Sequence, residues 1–166
     1  MVLGMLDSPT IRGGSELLPV VNSIRAIVLL AGLCLSARAA ETIAGSVKTA
    51  EGGVSLRRGG QTIAVREGTH LLVDDVLETA ADGRLGAILQ DGTRIGLGPN
   101  TELKIDRFVY EPSDQKYGLL LRLARGVIAY FSGRIARLAP GSVTVETPVG
   151  VIGLRGTHMA VSMEGS

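Results

Sequence analysis

The sequence predicts an all-β fold, a mostly antiparallel sandwich or roll of about ten short strands with glycine-rich turns. Turn signals recur roughly every ten residues along the second half of the chain. Between them, apolar and polar residues alternate with the period of two that marks a half-buried strand. The 166 residues include 23 glycines, which suits frequent turns, and only 3% aromatic residues. The core is therefore expected to consist of Val, Leu, Ile and Ala.

Residues 1–39 are predicted to be a secretory signal peptide. An uncharged apolar run, Ala26 to Leu35, follows Arg25, and Ala37-Arg38-Ala39 matches the small-x-small pattern of a cleavage site. An uncleaved anchor is the alternative, but the run is shorter than the ~20 apolar residues of a spanning helix. Cleavage would remove the chain's one cysteine, Cys34, and with it any disulfide or thiol chemistry. The mature protein would be periplasmic or secreted and not an integral membrane protein.

The first strands are expected between residues 41 and 78, separated by glycine pairs. Arg57 and Arg58 adjoin one such pair and are predicted to lie in a solvated turn. Asp74 and Asp75 interrupt an apolar stretch, and neighbouring residues of a strand point to opposite faces. We therefore expect one exposed carboxylate and one that caps a turn. A salt bridge from Asp75 to Arg155 is a further hypothesis.

Residues 84–97 carry the clearest hairpin signal. Asp91 and Gly92 form a turn pair in which both positions tolerate a positive φ. The flanking strands alternate, so their apolar members should face the core: Leu85, Ala87, Leu89, Ile95 and Leu97. Asp82-Gly83 is expected to make a similar turn one strand earlier.

The segment 100–131 is predicted to contain one strand, a loop and two further strands. Leu103 and Ile105 should point inward from the strand 100–110. Residues 111–118 are polar and contain a proline, which indicates a loop. Residues 119–131 favour two strands bent at Gly126, with a short helix as the alternative.

The segment 143–161 is expected to form two short strands around a glycine-rich crossing at the centre of the core. Val143 and Val145 alternate with polar residues, and Pro148 cannot donate to a ladder. Gly150, Gly153 and Gly156 follow at intervals of three, which suggests bends or tight crossings. Arg155 is the only charge between Glu146 and Glu164, so its guanidinium is expected to be partly buried and paired.

The formal net charge of +1 gives no support to nucleic-acid binding. The charges are nevertheless unevenly distributed along the chain, because acids dominate residues 67–91 and cations dominate residues 116–137. One hypothesis is a basic face that binds an acidic partner or an anionic glycan, formed by Arg122, Arg125, Arg134 and Arg137. The alternative is that the two segments pair across neighbouring strands.

Thr147-Pro148 and the block from Val151 to Thr157 resemble the signature end of the FecR domain, a bacterial periplasmic module. Upstream, Gly68, Thr79, the two Asp-Gly turns and the Gly98 to Thr101 step fall at similar spacings. The resemblance implies a set of motif residues, either structural or partner-facing: Asp75, Asp91, Gly92, Thr147, Pro148, Arg155, Gly156 and Thr157. Of these residues, Asp75 is the one expected to be buried, because the family pattern has an aspartate there. The resemblance covers residues 52–161, and we expect residues 40–166 to form one FecR-like β domain, either whole or without its C-terminal strands.

FecR-type regulators receive a signal from an outer-membrane transporter and pass it to a sigma factor, through a membrane span and a cytoplasmic region. This sequence resembles the periplasmic part alone. It contains no nucleophile elbow, phosphate-binding loop or metal-spaced histidine cluster, and no cofactor is expected. We therefore expect a non-enzymatic sensing or protein-interaction module in envelope signalling, with a transporter or inner-membrane regulator as partner. A structural or glycan-binding envelope domain is the alternative.

Overall fold

The computed structural model describes residues 42–154 and 158–163, and over these residues the domain is all-β, as predicted. It contains twelve strands, slightly more than expected, and one five-residue helix. The elements are β1 (Ile43–Glu51), β2 (Val54–Arg58), β3 (Gln61–Ala64), β4 (His70–Leu72), β5 (Val76–Thr79), β6 (Arg84–Leu89), β7 (Arg94–Leu97), β8 (Glu102–Glu111), β9 (Lys116–Phe131), α1 (Arg134–Leu138), β10 (Val143–Thr147), β11 (Gly150–Gly153) and β12 (His158–Met163).

The strands form two sheets that share β9. Sheet A has the order β4-β1-β6-β7-β9-β12, and sheet B has the order β3-β2-β5-β8-β9-β10-β11. Neighbouring strands are antiparallel, except that β10 runs parallel to β9. The inward side chains of both sheets contribute to one aliphatic core, so the domain is a roll in which a single curled sheet closes over itself.

Strand β9 passes from one sheet to the other by bending at Gly126. Its first half pairs with β8 and β10, and its second half pairs with β7 and β12. Gly126 has a φ of 90°, and a Cβ there would overlap Thr101. The predicted bend at Gly126 is therefore confirmed, but the two predicted strands are one continuous strand of 16 residues.

Two turns differ from the sequence prediction. Asp82 and Gly83 do not close a hairpin, because β5 lies in sheet B and β6 lies in sheet A. The turn instead carries the chain between sheets. The predicted loop 111–118 is shorter than expected, because Glu111 pairs with Lys116 and only residues 112–115 lie outside the ladder. Gln115, with a φ of 54°, allows this tight reversal.

The predicted hairpin of β6 and β7 is confirmed, and its five predicted inward side chains are all buried. Leu103 and Ile105 of β8 and Val143 and Val145 of β10 are fully buried as well. Helix α1 was not predicted. Its N-cap position is Gly133, which has no side chain that could bond to the first backbone N–H groups of the helix, so the sequence carries no helix-start signal there.

The expectation that residues 147–157 cross the centre of the core is wrong over the residues that are described. Thr147 pairs with Gly150 across a turn at Pro148 and Val149, so β10 and β11 form a hairpin at the end of sheet B. The side chains of Val149 and Val151 are 82% and 68% exposed. In this segment the residues buried in the core are Val143 and Val145 of β10, and the next buried residue along the chain is Leu154.

Candidate functional site

Asp75 anchors β2 to the turn before β5. Its carboxylate is fully buried and accepts two hydrogen bonds from Arg58, from Nε and Nη2, each at 2.7 Å. It also accepts the Leu72 backbone N–H at 2.8 Å. The inward role of Asp75 is confirmed, but its described partner is Arg58, which was expected to be solvated. Asp74, with a φ of 72°, exposes its carboxylate as predicted.

Asp91 does more than form a turn with Gly92. Its carboxylate is buried and accepts the Thr93 backbone N–H at 3.0 Å, the Thr93 hydroxyl at 2.8 Å and the Ile135 backbone N–H at 3.2 Å. Asp91 therefore supplies the N-terminal cap that α1 lacks in its own sequence. Gly92 is exposed with a φ of 85°, a conformation that favours glycine. Both residues act in the structure of the fold.

Tyr130 lies beside this buried network. It is 2% exposed, and its hydroxyl has no hydrogen-bond partner with good geometry among the described residues. Burial raises the pKa of Tyr130, and the nearby Asp91 carboxylate acts in the same direction.

The hairpin of β10 and β11 presents an open sheet edge. Over the described residues, β11 pairs with β10 and with no other strand. The Leu154 N–H bonds to the Val143 carbonyl at 3.0 Å, and hydrogen-bonded pairs alternate along an antiparallel ladder. The pairs that exchange backbone hydrogen bonds are therefore Ile152 with Val145 and Gly150 with Thr147. Val151 lies between them in a pair without such bonds, so its backbone N–H and C=O point away from β10. The edge carries no charged side chain between Gly150 and Gly153.

The outer face of sheet B carries ion pairs, some between neighbouring strands and others from β8 to itself or to the turn before β5. Arg57 pairs with Glu78 at 2.8 Å, Arg125 with Glu102 at 3.4 Å, and Lys104 with Asp74 and Asp106 at 2.8 Å each. Hydrogen bonds to those two aspartates raise the pKa of Lys104. This face offers few cations that are free to bind an anionic partner.

The four arginines of the hypothetical basic face occupy two different places in the fold. Arg122 pairs with Glu146 at 2.7 Å and with Asp106 at 3.3 Å, and Arg125 pairs with Glu102. Their partner carboxylates belong to β8 and β10 and not to residues 67–91. Arg134 and Arg137 lie on α1, where the Arg134 guanidinium donates to the Tyr110 hydroxyl at 3.4 Å. The binding role of these four arginines stays a prediction.

The outer face of sheet A has a different character. Outward residues of neighbouring strands lie side by side and form two rows that run across the sheet, and the residues of the second row are small. The first row is His70, Ser46, Ile88, Arg94, Phe131 and His158, and the second is Thr49, Gly86, Gly96, Ala129 and Ala160. The Arg94 guanidinium lies 5.3 Å from the centre of the Phe131 ring, and the His158 ring meets that ring edge-on at 5.1 Å.

A bulge in β1 adds a further cation to this face. Val47 pairs with Ala87 and Thr49 pairs with Gly86, which leaves Lys48 as the extra residue. A bulge changes the direction of a side chain, so Lys48 is exposed beside buried Val47 and lines two adjoining grooves of about 310 and 340 Å³. Among the described residues, no Asp or Glu lines either groove. Within the described part of the chain, Lys48 and Arg94 have no ion-pair partner.

Several predictions concern residues outside the described ranges. The signal peptide of residues 1–39 and the motif residues Arg155, Gly156 and Thr157 all lie there, so their roles stay predictions. Of the motif residues that are described, Thr147 and Pro148 form the hairpin turn, where the Thr147 hydroxyl donates to the Gly150 carbonyl at 2.9 Å. Sequence reasoning missed Lys48, Arg94 and Phe131 as members of one face. Alternation could have placed Arg94 and Gly96 on the outside, but the bulge at Lys48 has no sequence signal.

No group of three or more His, Cys, Asp or Glu side chains among the described residues is arranged to hold a metal ion. None of the described helical residues forms a helix of the length and apolarity that crossing a membrane requires.

Comparison with known proteins identifies the family. The model of the family described as "FecR protein" matches residues 75–166, which is more than half of the chain. Searches of the curated proteins and of the solved structures gave no match. The matched segment includes the buried aspartates, the whole of β9 and the hairpin of β10 and β11. The chain belongs to the FecR protein family.

Proposed function

We propose that this FecR domain is a non-enzymatic sensing or protein-interaction module of the bacterial envelope, and that its partner adds a strand to β11. The observation that carries the proposal is the open, uncharged edge of β11. Sheet edges in soluble proteins are usually protected by charges, prolines or a covering segment. Here Val149 and Val151 are exposed beside an edge that no described residue covers.

Strand addition suits the chemistry of this edge. The outward N–H and C=O of Val151 can bond to an extended segment, and main-chain bonds of this kind supply the affinity in strand-addition complexes. The exposed valines would supply the apolar contacts. A transporter or an inner-membrane regulator with an extended segment is the partner that the FecR resemblance implies. Export by the predicted signal peptide supports an envelope location.

The test is cross-linking in intact cells followed by mass spectrometry, with the mature N-terminus read from the same sample. The decisive variant is Val151→Pro, since it removes an N–H that faces away from β10 and keeps the bonds between the two strands. Proline is tolerated at such edge positions. We expect wild type to cross-link to one envelope protein, and we expect Val151→Pro to lose that product while it keeps its melting temperature.

Two controls make the result specific. Val151→Ala keeps the N–H and should keep most of the cross-linked product. Leu138→Lys changes another apolar side chain, 54% exposed on α1, and should have no effect. Retention of the full cross-link in Val151→Pro would refute strand addition at β11. Cross-links to envelope polymers alone would favour the alternative function, a structural or glycan-binding domain.

A further inference from the structure

We propose that the outer face of sheet A binds an anionic polysaccharide, in the two grooves that Lys48 joins. This site is distinct from the edge of β11 and does not depend on strand addition there. Three properties of the face support this site: its unpaired cations, its donor-rich lining and its flat floor.

Charge complementarity is the first property. Lys48 and Arg94 are exposed cations without an ion-pair partner among the described residues. Lys48 lines both grooves and Arg94 lines one of them, and no described carboxylate lines either. The outer face of sheet B shows the opposite arrangement, because Arg57, Lys104, Arg122 and Arg125 each contact at least one carboxylate there. Carboxylate, sulfate or phosphate groups are the ligands that unpaired Lys and Arg side chains bind most strongly.

The donor-rich lining favours a sugar chain over a polypeptide. The backbone groups of β1, β6, β7 and β9 are engaged in the sheet, so a ligand on this face meets side chains. The Lys and Arg side chains only donate hydrogen bonds. In the 310 Å³ groove, Lys48 and Arg94 are the only polar side chains among the described lining residues, so a peptide there would find few acceptors for its own N–H groups. A polysaccharide presents hydroxyl, ring and acidic oxygens as acceptors, and its hydroxyl protons can turn toward solvent.

The floor of the grooves is flat where the second row of small residues crosses the sheet. Gly86 and Gly96 stand beside Ala129 on adjoining strands, and glycine within a strand allows a ligand to approach the backbone closely. Phe131, which is 38% exposed, forms an apolar wall beside them. Each groove has a volume of about 310 to 340 Å³, enough for one sugar ring with its substituents. The two grooves adjoin at Lys48 and Ile88, which suits a chain of at least two sugars.

The test measures binding of three polymers to the exported protein, purified after expression of the full chain. Polygalacturonate is the anionic glycan, dextran is the neutral glycan, and poly-L-glutamate is the anionic polypeptide. We expect wild type to bind polygalacturonate, to ignore dextran and to bind poly-L-glutamate at least about tenfold more weakly. Equal or tighter binding of poly-L-glutamate would overturn the glycan assignment in favour of an acidic protein. Absence of polygalacturonate binding by folded wild type would overturn the site itself.

Matched variants separate this site from general charge attraction. Lys48→Glu with Arg94→Glu should weaken binding about tenfold or more. Arg107→Glu with Lys116→Glu, two exposed cations of the β8–β9 hairpin in sheet B, makes the same change in net charge and should leave binding within about twofold. Gly96→Val changes no charge and fills the floor, and its Cβ would lie at an ordinary 3.6 Å from Ala129. It should weaken binding about tenfold and keep the fold. Equal losses in the two charge-reversed pairs, or full binding by Gly96→Val, would refute the site. Val151→Pro should bind the glycan like wild type, so failure of one proposal does not imply failure of the other.

Discussion

Replacing Arg58 with alanine is expected to destabilise the domain far more than replacing its neighbour Arg57. In Arg58→Ala the buried Asp75 carboxylate loses both of its 2.7 Å hydrogen bonds and keeps only the Leu72 N–H. Removing one partner of a buried pair costs about 3–5 kcal/mol. Because the Arg58 side chain is 31% exposed, water can reach the vacated position, and we expect a loss near the lower end, about 3 kcal/mol.

Arg57→Ala is the matched control, because Arg57 is the adjacent residue on β2 and also pairs with carboxylates. Its side chain is 45% exposed, and its partners Glu78 and Glu102 are 30% and 28% exposed. Such surface pairs contribute about 0–1 kcal/mol. Asp75→Asn should fall between the two, at about 1.5–3 kcal/mol, because the amide oxygen can still accept the Leu72 N–H and Arg58 can turn toward water.

The assay is equilibrium unfolding in urea, followed by circular dichroism, with the m-value checked for each variant. An unchanged m-value would show that the midpoint shift reports stability alone. A loss of about 3 kcal/mol corresponds to a fall in melting temperature of roughly 10 °C or more for a domain of this size. A loss for Arg58→Ala no greater than that for Arg57→Ala would refute the reasoning that Asp75 is buried and depends on this arginine.

Three further predictions concern the fold. Asp91→Ala should cost about 3 kcal/mol, since it leaves the buried N–H groups of Thr93 and Ile135 without acceptors, and urea unfolding would measure this. Gly126→Ala should cost about 3 kcal/mol or more, because a side chain there meets Thr101 at a positive φ; a wild-type melting temperature would contradict the bend. Tyr130→Phe should stay within about 1 kcal/mol of wild type at pH 7, because the buried hydroxyl makes no hydrogen bond of good geometry to a described residue. The raised pKa of Tyr130 means that the unfolded state loses this proton first, so stability should fall as pH rises above about 10, and Tyr130→Phe should reduce that fall in unfolding measured across pH.

The sequence was sufficient for the fold class and for most inward positions, because alternation and turn chemistry act locally. Leu85 to Leu97 illustrates this, since the Asp-Gly turn and the period of two together determine the register. The inward role of Asp75 could be expected from the FecR resemblance, but alternation alone does not tell which of Asp74 and Asp75 is buried, and both lie in the turn between β4 and β5.

Relations between distant segments could not be read from local patterns. Asp91 reaches α1 across 44 positions, and Arg58 reaches Asp75 from a turn that looked solvated. Asp82-Gly83 has the composition of a hairpin turn, but β5 pairs with strands of sheet B and β6 pairs with strands of sheet A. The turn therefore connects the two sheets and does not close a hairpin. The same limit applies to the surfaces. Arg122 and Lys48 are both basic residues, and only the strand order shows that Arg122 lies beside Glu146 whereas no described carboxylate lines the grooves beside Lys48.

The central claim, that β11 offers an open edge for strand addition, is tested most directly by amide hydrogen exchange measured residue by residue with NMR. In the unbound domain the Ile152 N–H should be protected, because it faces β10, and the Val151 N–H should exchange at nearly the rate of an unfolded chain. Addition of the cross-linked partner should then protect Val151. A Val151 N–H that is already protected in the unbound domain would show that another part of the chain covers the edge, and would contradict the account.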